Sequence, residues 1–175
     1  QTEARTQVTL YQGLPKADKM EMIAQKTTEL GVYAIRPVAM ERCVVKLEGK
    51  DAGKKVERWQ KIAREAVKQC ARIRVPEVRP PQKLAALREE LAALDLLIVP
   101  WEDARDGSVR ACVETVAQLP APRIGVLIGP EGGISESELD EARQAGAVPV
   151  SLGRRILRAE TAGLVAMSAI FYETG

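Results

Sequence analysis

The 175-residue chain is 46% hydrophobic and 29% charged, which is typical of one globular domain, and its formal net charge of +2 does not by itself indicate a nucleic-acid binder. It contains no histidine, which excludes a serine-protease-like triad, a histidine general base and histidine metal ligands. The polar start and the lack of an apolar stretch long enough to cross a membrane indicate a cytoplasmic protein without a membrane segment.

The first part of the chain is predicted to alternate strands and helices. Residues 6–14 (TQVTLYQGL) alternate like an edge or half-buried strand. An apolar helical face then runs from Met20 to Leu30 and stops before Gly31, and residues 32–40 (VYAIRPVAM) predict the next strand.

A long amphipathic helix is predicted over residues 54–70, and its polar side is basic. The basic residues on or just beyond this helix are Lys61, Arg64, Lys68, Arg72 and Arg74. One interpretation is contact with RNA phosphates, for which Lys61, Arg64 and Arg72 are the candidates. The other is a solvated face whose lysine and arginine stems cover apolar surface.

After Pro76 the pattern predicts regular alternation of helices and strands. Helices are expected around 84–94, around 109–119 and from Ser135, and strands at 94–101, 123–130 and 147–153. Strands this apolar are buried on both faces, so the fold class is α/β, with a mostly parallel sheet and helices on both faces. Small ligands bind such sheets beyond the carboxyl ends of the strands.

The three cysteines, Cys43, Cys70 and Cys112, are far apart and form no C-x-x-C pair. Without histidine to complete a zinc site, we expect them to be buried free thiols, and we predict no metal site.

The loop after the 123–130 strand has the sequence IGPEGGISESE, from Ile128 to Glu138. Ser135 and Glu138 form a capping-box pattern, which predicts that a helix begins at this serine. The glycines allow positive φ and close approach of the backbone to a ligand. Because the loop lacks the G-K-[ST] and G-x-G-x-x-G patterns and carries Glu131, it suits a ligand other than a polyphosphate.

The loop after the last strand has the sequence LGRRILRAETA, from Leu152 to Ala162. It places three arginines before Glu160 and Thr161 at the start of an apolar helix. Since it follows a parallel strand, we expect it to converge with the glycine turn on one cleft.

These two segments together resemble the bacterial RsmE family, S-adenosylmethionine-dependent methyltransferases that modify N3 of a uridine in 16S ribosomal RNA of the small ribosomal subunit. The resemblance extends to KADKMEMIAQKTTELGV (16–32), ERCVVK (41–46) and EAVKQCARIRVPEV (65–78). It covers nearly the whole chain. Lys68 departs from the family pattern, which most often has glutamate there.

The resemblance implies a SPOUT fold, in which the C-terminal segment of the α/β sheet is threaded into a trefoil knot, and a homodimer with the active site at the subunit seam. It also implies that residues 1–175 are the methyltransferase domain alone, because the family's small N-terminal RNA-binding β-barrel domain lies outside this sequence. The C-terminal helix supports the dimer, since apolar residues from Leu164 to Phe171 occupy more than one of its faces.

The resemblance also implies a role for each loop. S-adenosylmethionine would be held by Leu127, Ile128, Gly129, Glu131, Gly132, Gly133, Leu152, Gly153, Ile156, Leu157 and, in the turn after Val99, Pro100. Uridine N3 must lose a proton before it attacks, so Arg158 would stabilise charge on the uracil oxygens and Glu160, or a water it orients, would accept the proton. Arg154 and Arg155 would contact RNA.

Two other functions stay open at this point. A SPOUT ribose 2′-O-methyltransferase would share the knot, although RAETA (158–162) stands where that family's asparagine-containing motif is expected. A non-catalytic RNA-binding module is the second alternative. It would not need the two loops of glycine and charge, and the chain has few aromatic residues for stacking on bases.

Overall fold

The structure, a computed structural model, describes residues 2–175. Strands and helices alternate along almost all of this part of the chain. The strands are β1 Gln7–Gly13, β2 Ala34–Ala39, β3 Glu77–Val78, β4 Gln82–Lys83, β5 Leu96–Pro100, β6 Arg123–Ile128 and β7 Ala147–Val150. The helices are α1 Lys19–Leu30, α2 Gly49–Cys70, α3 Arg88–Ala92, α4 Val109–Glu114, α5 Glu136–Gln144 and α6 Ala159–Thr174, and a 3-10 turn spans Leu84–Leu87.

All the paired strands are parallel, in the order β3-β2-β1-β6-β5-β7, with β4 also pairing with β2. The predicted fold class, an α/β protein with a mostly parallel sheet, is confirmed. The prediction that residues 6–14 form an edge or half-buried strand is wrong. β1 lies between β2 and β6 and is buried almost throughout, because helices cover both of its faces.

Two neighbouring residues of β1 point to the two covered faces. A Cβ atom added to Gly163 of α6 would lie 3.3 Å from the Leu10 side chain. A Cβ atom added to Gly125 of β6 would instead meet the side chains of Tyr11 and Leu94. Because consecutive side chains of a strand point to opposite faces, α6 lies on one face and the segment around α3 on the other. The helices α1, α2, α4 and α6 form the first layer through mutual contacts, and α5 packs with the 3-10 turn in the second.

Three helices differ in length from the sequence prediction. α2 begins earlier, at Gly49, and the helix predicted over 84–94 divides into the 3-10 turn and the short α3. The helix predicted over 109–119 ends at Glu114, because the amides of Val116 and Leu119 bond to carbonyls three residues back. Such tight bonds close turns and do not extend an α-helix.

The sequence placed three free thiols in the core. All three cysteines are free, but only Cys43 is buried, and Cys70 and Cys112 are half-buried. Among residues 2–175 no helix has the length and apolar character needed to cross a membrane. The trefoil knot stays a prediction, because strand pairing alone does not determine how the chain is threaded.

Candidate active site

A cleft of about 1200 Å³ opens at the carboxyl edge of the sheet, where β5, β6 and β7 end. The glycine turn after β6 forms one wall and the arginine loop after β7 forms another. The turn after β5, with Trp101, Glu102 and Asp103, completes the rim. The sequence prediction that the arginine loop and the glycine turn converge on one cleft is confirmed.

The glycine turn is held mainly by its own contacts and by a neighbouring segment. The amide of Gly133 donates to the carbonyl of Pro130 at 2.8 Å, and Gly133 has a φ of +79°, which favours glycine. A Cβ atom on Gly132 would lie 3.0 Å from both the Cβ and the carbonyl oxygen of Arg42. The glycine at 132 is therefore explained by close packing against Arg42, without invoking a ligand.

The helix after this turn begins as the sequence predicted. The Ser135 hydroxyl accepts from the amide of Glu138 at 3.2 Å, and the Glu138 carboxylate accepts from the amide of Ser135 at 3.3 Å. The other oxygen of Glu138 accepts from the amide of Glu41 at 3.1 Å. One glutamate thus fixes both the start of α5 and the segment that covers the turn.

The arginine loop is exposed and leads directly into α6. Gly153 has a φ of +112° and donates its amide to the Ser151 hydroxyl at 3.2 Å. The side chains of Arg154, Arg155 and Arg158 are exposed, and Arg158 is the N-cap residue of α6. All three arginines line the cleft, which gives it a cationic wall.

The opposite wall carries a fixed negative charge on Glu131. Burial raises the pKa of this carboxyl, but the backbone amide of Lys16, 2.8 Å from Oε1, and the Lys19 ammonium, 3.1 Å from Oε1, outweigh it. The pKa of Glu131 therefore lies below its ordinary value, and the side chain stays an anion at neutral pH.

Lys19 contacts a second carboxylate as well. Its Nζ lies 3.5 Å from Oε2 of Glu160 in the first turn of α6. Oε2 of Glu160 is buried and has no hydrogen-bond partner among the described residues. Glu160 is thus held beside a cation, but it is not among the residues that line the cleft, and its Oε2 is shielded from solvent.

Most of the residues that the resemblance placed around the cofactor line one cleft. These are Pro100, Ile128, Gly129, Glu131, Gly132, Gly133, Leu152, Gly153, Ile156 and Leu157. Leu127 is the exception: it is fully buried in β6 and does not reach the cleft. A residue before the end of a strand buried on both faces points into the core.

The basic residues predicted on and after α2 lie elsewhere. Lys61 and Arg64 are exposed on α2 but do not line the cleft. The prediction that Arg72 contacts RNA conflicts with its burial. Its guanidinium donates to the carbonyls of Thr28 and Val32 and to the Glu3 carboxylate, so it serves as a structural anchor.

Lys19, Arg42 and Trp101 are among the cleft residues that received no role from the sequence. Lys19 and Arg42 lie within segments that carry the family resemblance, but no spacing rule places them beside a turn about 100 residues later. Trp101 is the last residue of the predicted strand 94–101 and directly follows β5, so the rule for ligand sites in parallel sheets could have indicated it.

Fold and cleft together define a parallel α/β protein with a ligand site of mixed charge at the carboxyl edge of its sheet. Residues 2–171 match a family described as "RNA methyltransferase domain". The chain belongs to this family, and within it to the group of the ribosomal RNA small subunit methyltransferases E.

Two relatives from this group illustrate the similarity. Ribosomal RNA small subunit methyltransferase E of Bacillus subtilis is 42% identical over 174 residues, which cover 98% of this chain and 68% of that protein. The protein of the same name from Mycobacterium tuberculosis is 35% identical over 170 residues, which cover 95% and 63%. The chain therefore spans about two thirds of the length of these relatives.

Solved structures show the same fold. Ribosomal RNA small subunit methyltransferase E from Neisseria gonorrhoeae, bound to S-adenosyl methionine, matches with a TM-score of 0.81 and 37% identity over 96% of this chain and 67% of that one. A SpoU methyltransferase from Streptomyces viridochromogenes matches with a TM-score of 0.57 at 13% identity, covering 97% and 60%. That distant match concerns the fold alone.

Proposed function

We propose that this protein transfers a methyl group from S-adenosylmethionine to N3 of a uridine in 16S ribosomal RNA. The observation that carries the proposal is the cleft, where an anionic glycine turn faces an arginine loop at the carboxyl edge of the sheet. The relatives named as small-subunit ribosomal RNA methyltransferases support the same substrate. Because ribosomal RNA is the substrate, the reaction belongs in the cytoplasm.

The residues of the cleft fit S-adenosylmethionine. This molecule has an apolar adenine, a sulfonium cation and no phosphate, and it supplies an electrophilic methyl group. Ile128, Leu152 and Leu157 offer apolar surface, and the Glu131 carboxylate suits a cationic ligand. A ligand with several phosphates would be repelled at the same place. In the Neisseria relative, S-adenosyl methionine is the molecule bound.

The chemistry at uridine N3 requires a proton acceptor and stabilisation of negative charge. Glu160 is our candidate acceptor, either directly or through a water, because it lies two residues after Arg158 and its side chain is 17% exposed. Arg158 is our candidate for stabilising the charge that develops on the uracil oxygens, since its exposed side chain lines the same cleft.

RNA would approach the cleft from its cationic rim. Arg154 and Arg155 are exposed beside Arg158, and Arg42 and Arg105 also line the cleft. Lys61 and Arg64 would contribute only to an RNA that extends across α2. An N-terminal β-barrel domain of the kind the family carries would supply further contacts, and residues 1–175 are in this proposal the methyltransferase domain.

The active unit in this proposal is a homodimer. On α6, Val165, Ser168 and Tyr172 form an exposed stripe at intervals of three and four residues, and Tyr172 is 83% exposed. Met167 and Ile170 pack into the core on the other side of the helix. The matching stripe of a second copy would cover the exposed one and bring the two arginine loops toward a shared site.

Two measurements test the function. Titration calorimetry with S-adenosylmethionine and no RNA should give heat with one site per chain, whereas a non-catalytic RNA-binding module should give none. Small ribosomal subunits from cells lacking this gene should then accept a labelled methyl group, and nuclease digestion with mass spectrometry should identify 3-methyluridine. A ribose-methylated product would instead favour the 2′-O-methyltransferase alternative.

A further inference from the structure

Lys19 occupies a position that the stability of its own helix does not explain. It is the first residue of α1, and Asp18 before it makes no side-chain cap hydrogen bond. A cation in the first turn of a helix interacts unfavourably with the helix dipole, by roughly 0.3–1 kcal/mol. The reason for a lysine here must therefore lie in what its side chain contacts outside α1.

Those contacts join the two loops that form the cleft. The Nζ atom of Lys19 lies 3.1 Å from Oε1 of Glu131 in the glycine turn and 3.5 Å from Oε2 of Glu160 in α6. Only 27% of the lysine side chain is exposed. Glu131 lies in the turn after β6 and Glu160 in the first turn of α6, so one ammonium group at the start of α1 connects these two segments.

The two carboxylates are held differently. Glu131 accepts hydrogen bonds from both Lys19 and the backbone amide of Lys16, so its Oε1 is well satisfied. Oε2 of Glu160 is buried near the same ammonium without a hydrogen bond. Among the described residues, Lys19 is therefore the one cation paired with the Glu160 carboxylate.

We propose that Lys19 is a positioning residue, which fixes the Glu160 carboxylate relative to the glycine turn. The catalytic part of this proposal depends on the proposed methyl transfer. The bridging part concerns the protein without any ligand. Both parts predict that replacing Lys19 has its effect through the lost contacts with Glu131 and Glu160, and not through the stability of α1.

The test compares four variants: Lys19→Met, Lys19→Arg, Glu160→Gln and the Lys19→Met/Glu160→Gln double variant. Lys26→Met is the matched control, because Lys26 lies on the same helix and pairs with Glu29 away from the cleft. Turnover is measured at saturating S-adenosylmethionine, cofactor affinity by calorimetry, and exchange of the Gly133 amide by NMR on labelled protein without cofactor.

We expect Lys19→Met to lower turnover about 10-fold, and Lys19→Arg to restore most of it, because a guanidinium keeps the charge. Glu160→Gln should lower turnover about 10²-fold, as loss of a proton acceptor does. The double variant should be no slower than Glu160→Gln within about 2-fold, since residues that act as one unit are not additive.

Without cofactor, Lys19→Met should speed exchange of the Gly133 amide about 3-fold, which corresponds to losing a partly exposed ion pair. Lys26→Met should change neither turnover nor this exchange. Additive losses in the double variant, or unchanged exchange in Lys19→Met, would overturn the positioning role. If the unmodified protein transfers no methyl group, the proposed function fails, while the amide exchange still decides the bridging role.

Discussion

Arg158 places a positive charge in the cleft where the proposed chemistry requires one. It lies immediately before α6, lines the cleft and has no ion-pair partner among residues 2–175. Its charge is therefore not neutralised by a neighbouring carboxylate. An uncompensated cation at this place is suited to meet negative charge on a substrate.

If Arg158 stabilises charge that develops only during the reaction, its removal should affect turnover more than binding. We expect Arg158→Ala to lower turnover about 10²-fold while cofactor affinity changes little, as for the loss of one donor to an oxyanion. Turnover and calorimetry on the same preparation check this. Arg143→Ala, which removes an exposed arginine from α5, is the control. Weaker cofactor binding with normal turnover at saturation would assign Arg158 to the cofactor instead.

A comparison of alanine variants at Gly133 and Gly146 separates the cost of backbone strain from a role in cofactor binding. Both have positive φ, +79° and +100°, and an added Cβ would meet no atom closer than 3.9 Å at either position. We expect an alanine at either site to lower the free energy of unfolding by about 1 kcal/mol, measured in urea. Only Gly133→Ala should also weaken S-adenosylmethionine binding, because Gly146 is outside the cleft. Equal affinity in the two variants would show that the turn is purely structural.

At the scale of helices and strands, two features that depend on neighbouring residues were predicted correctly, whereas the central position of a strand in the sheet was not. The capping box at Ser135 and Glu138 identified the start of α5, and the apolar runs identified β5, β6 and β7. Both patterns depend on neighbours within a few residues. The central position of β1 was missed because Thr9 and Gln12 are polar, although both are buried. Their burial follows from pairing and helix cover that the strand's own sequence does not encode.

The residues of the cleft also fall into two groups, those that the local sequence predicted and those that it did not. The two loops were found because each follows a strand directly, and parallel strands end at one edge. Lys19 and Arg42 were not found, because their contacts span about 90 residues or more of sequence. Arg72 was assigned to RNA because it lies just beyond a helix with a basic face. Its carbonyl partners are Thr28, in the last turn of α1, and Val32, just after that helix. Helical periodicity cannot predict contacts between residues so far apart in the sequence.

The pair of Arg72 and Glu3 ties the start of the chain to the end of α1 and predicts a dependence of stability on pH. A hydrogen bond from Arg72 holds the pKa of Glu3 below its ordinary value, against the effect of burial. A carboxyl with a lowered pKa in the folded state stabilises the protein above its unfolded pKa, near 4.5, and this contribution disappears as the pH falls through the folded pKa.

We therefore expect Glu3→Gln to lower the free energy of unfolding by about 2 kcal/mol at pH 7, the cost of a charged hydrogen bond lost at a largely buried partner. Below about pH 4 the difference from the unmodified protein should shrink, because Glu3 itself becomes protonated. Urea unfolding across this range measures both effects. Glu65→Gln, which breaks the exposed pair with Lys68, should have no measurable effect. A difference that does not vary with pH would contradict the charged role of Glu3.

At the scale of the whole molecule, the distribution of charge matters more than its sum. The net charge is only +2, yet the cleft gathers three carboxylates, of Glu102, Asp103 and Glu131, and five arginines. A cationic methyl donor and a polyanionic RNA require opposite surroundings. One cleft that carries both carboxylates and arginines offers partners to each.

The proposed homodimer is the last prediction, and it follows from the exposed stripe of α6. Light scattering on this chain at micromolar concentration should give about twice 19.1 kDa. Val165→Asp should produce a folded monomer, because a charge within an apolar contact is not compensated. Val44→Asp, at a 70% exposed loop residue outside α6, should stay dimeric. If the arginine loops share one site, the monomer should lose methyl transfer while it still binds S-adenosylmethionine. A mass near 19 kDa for the unmodified chain would contradict the dimer and the shared site together.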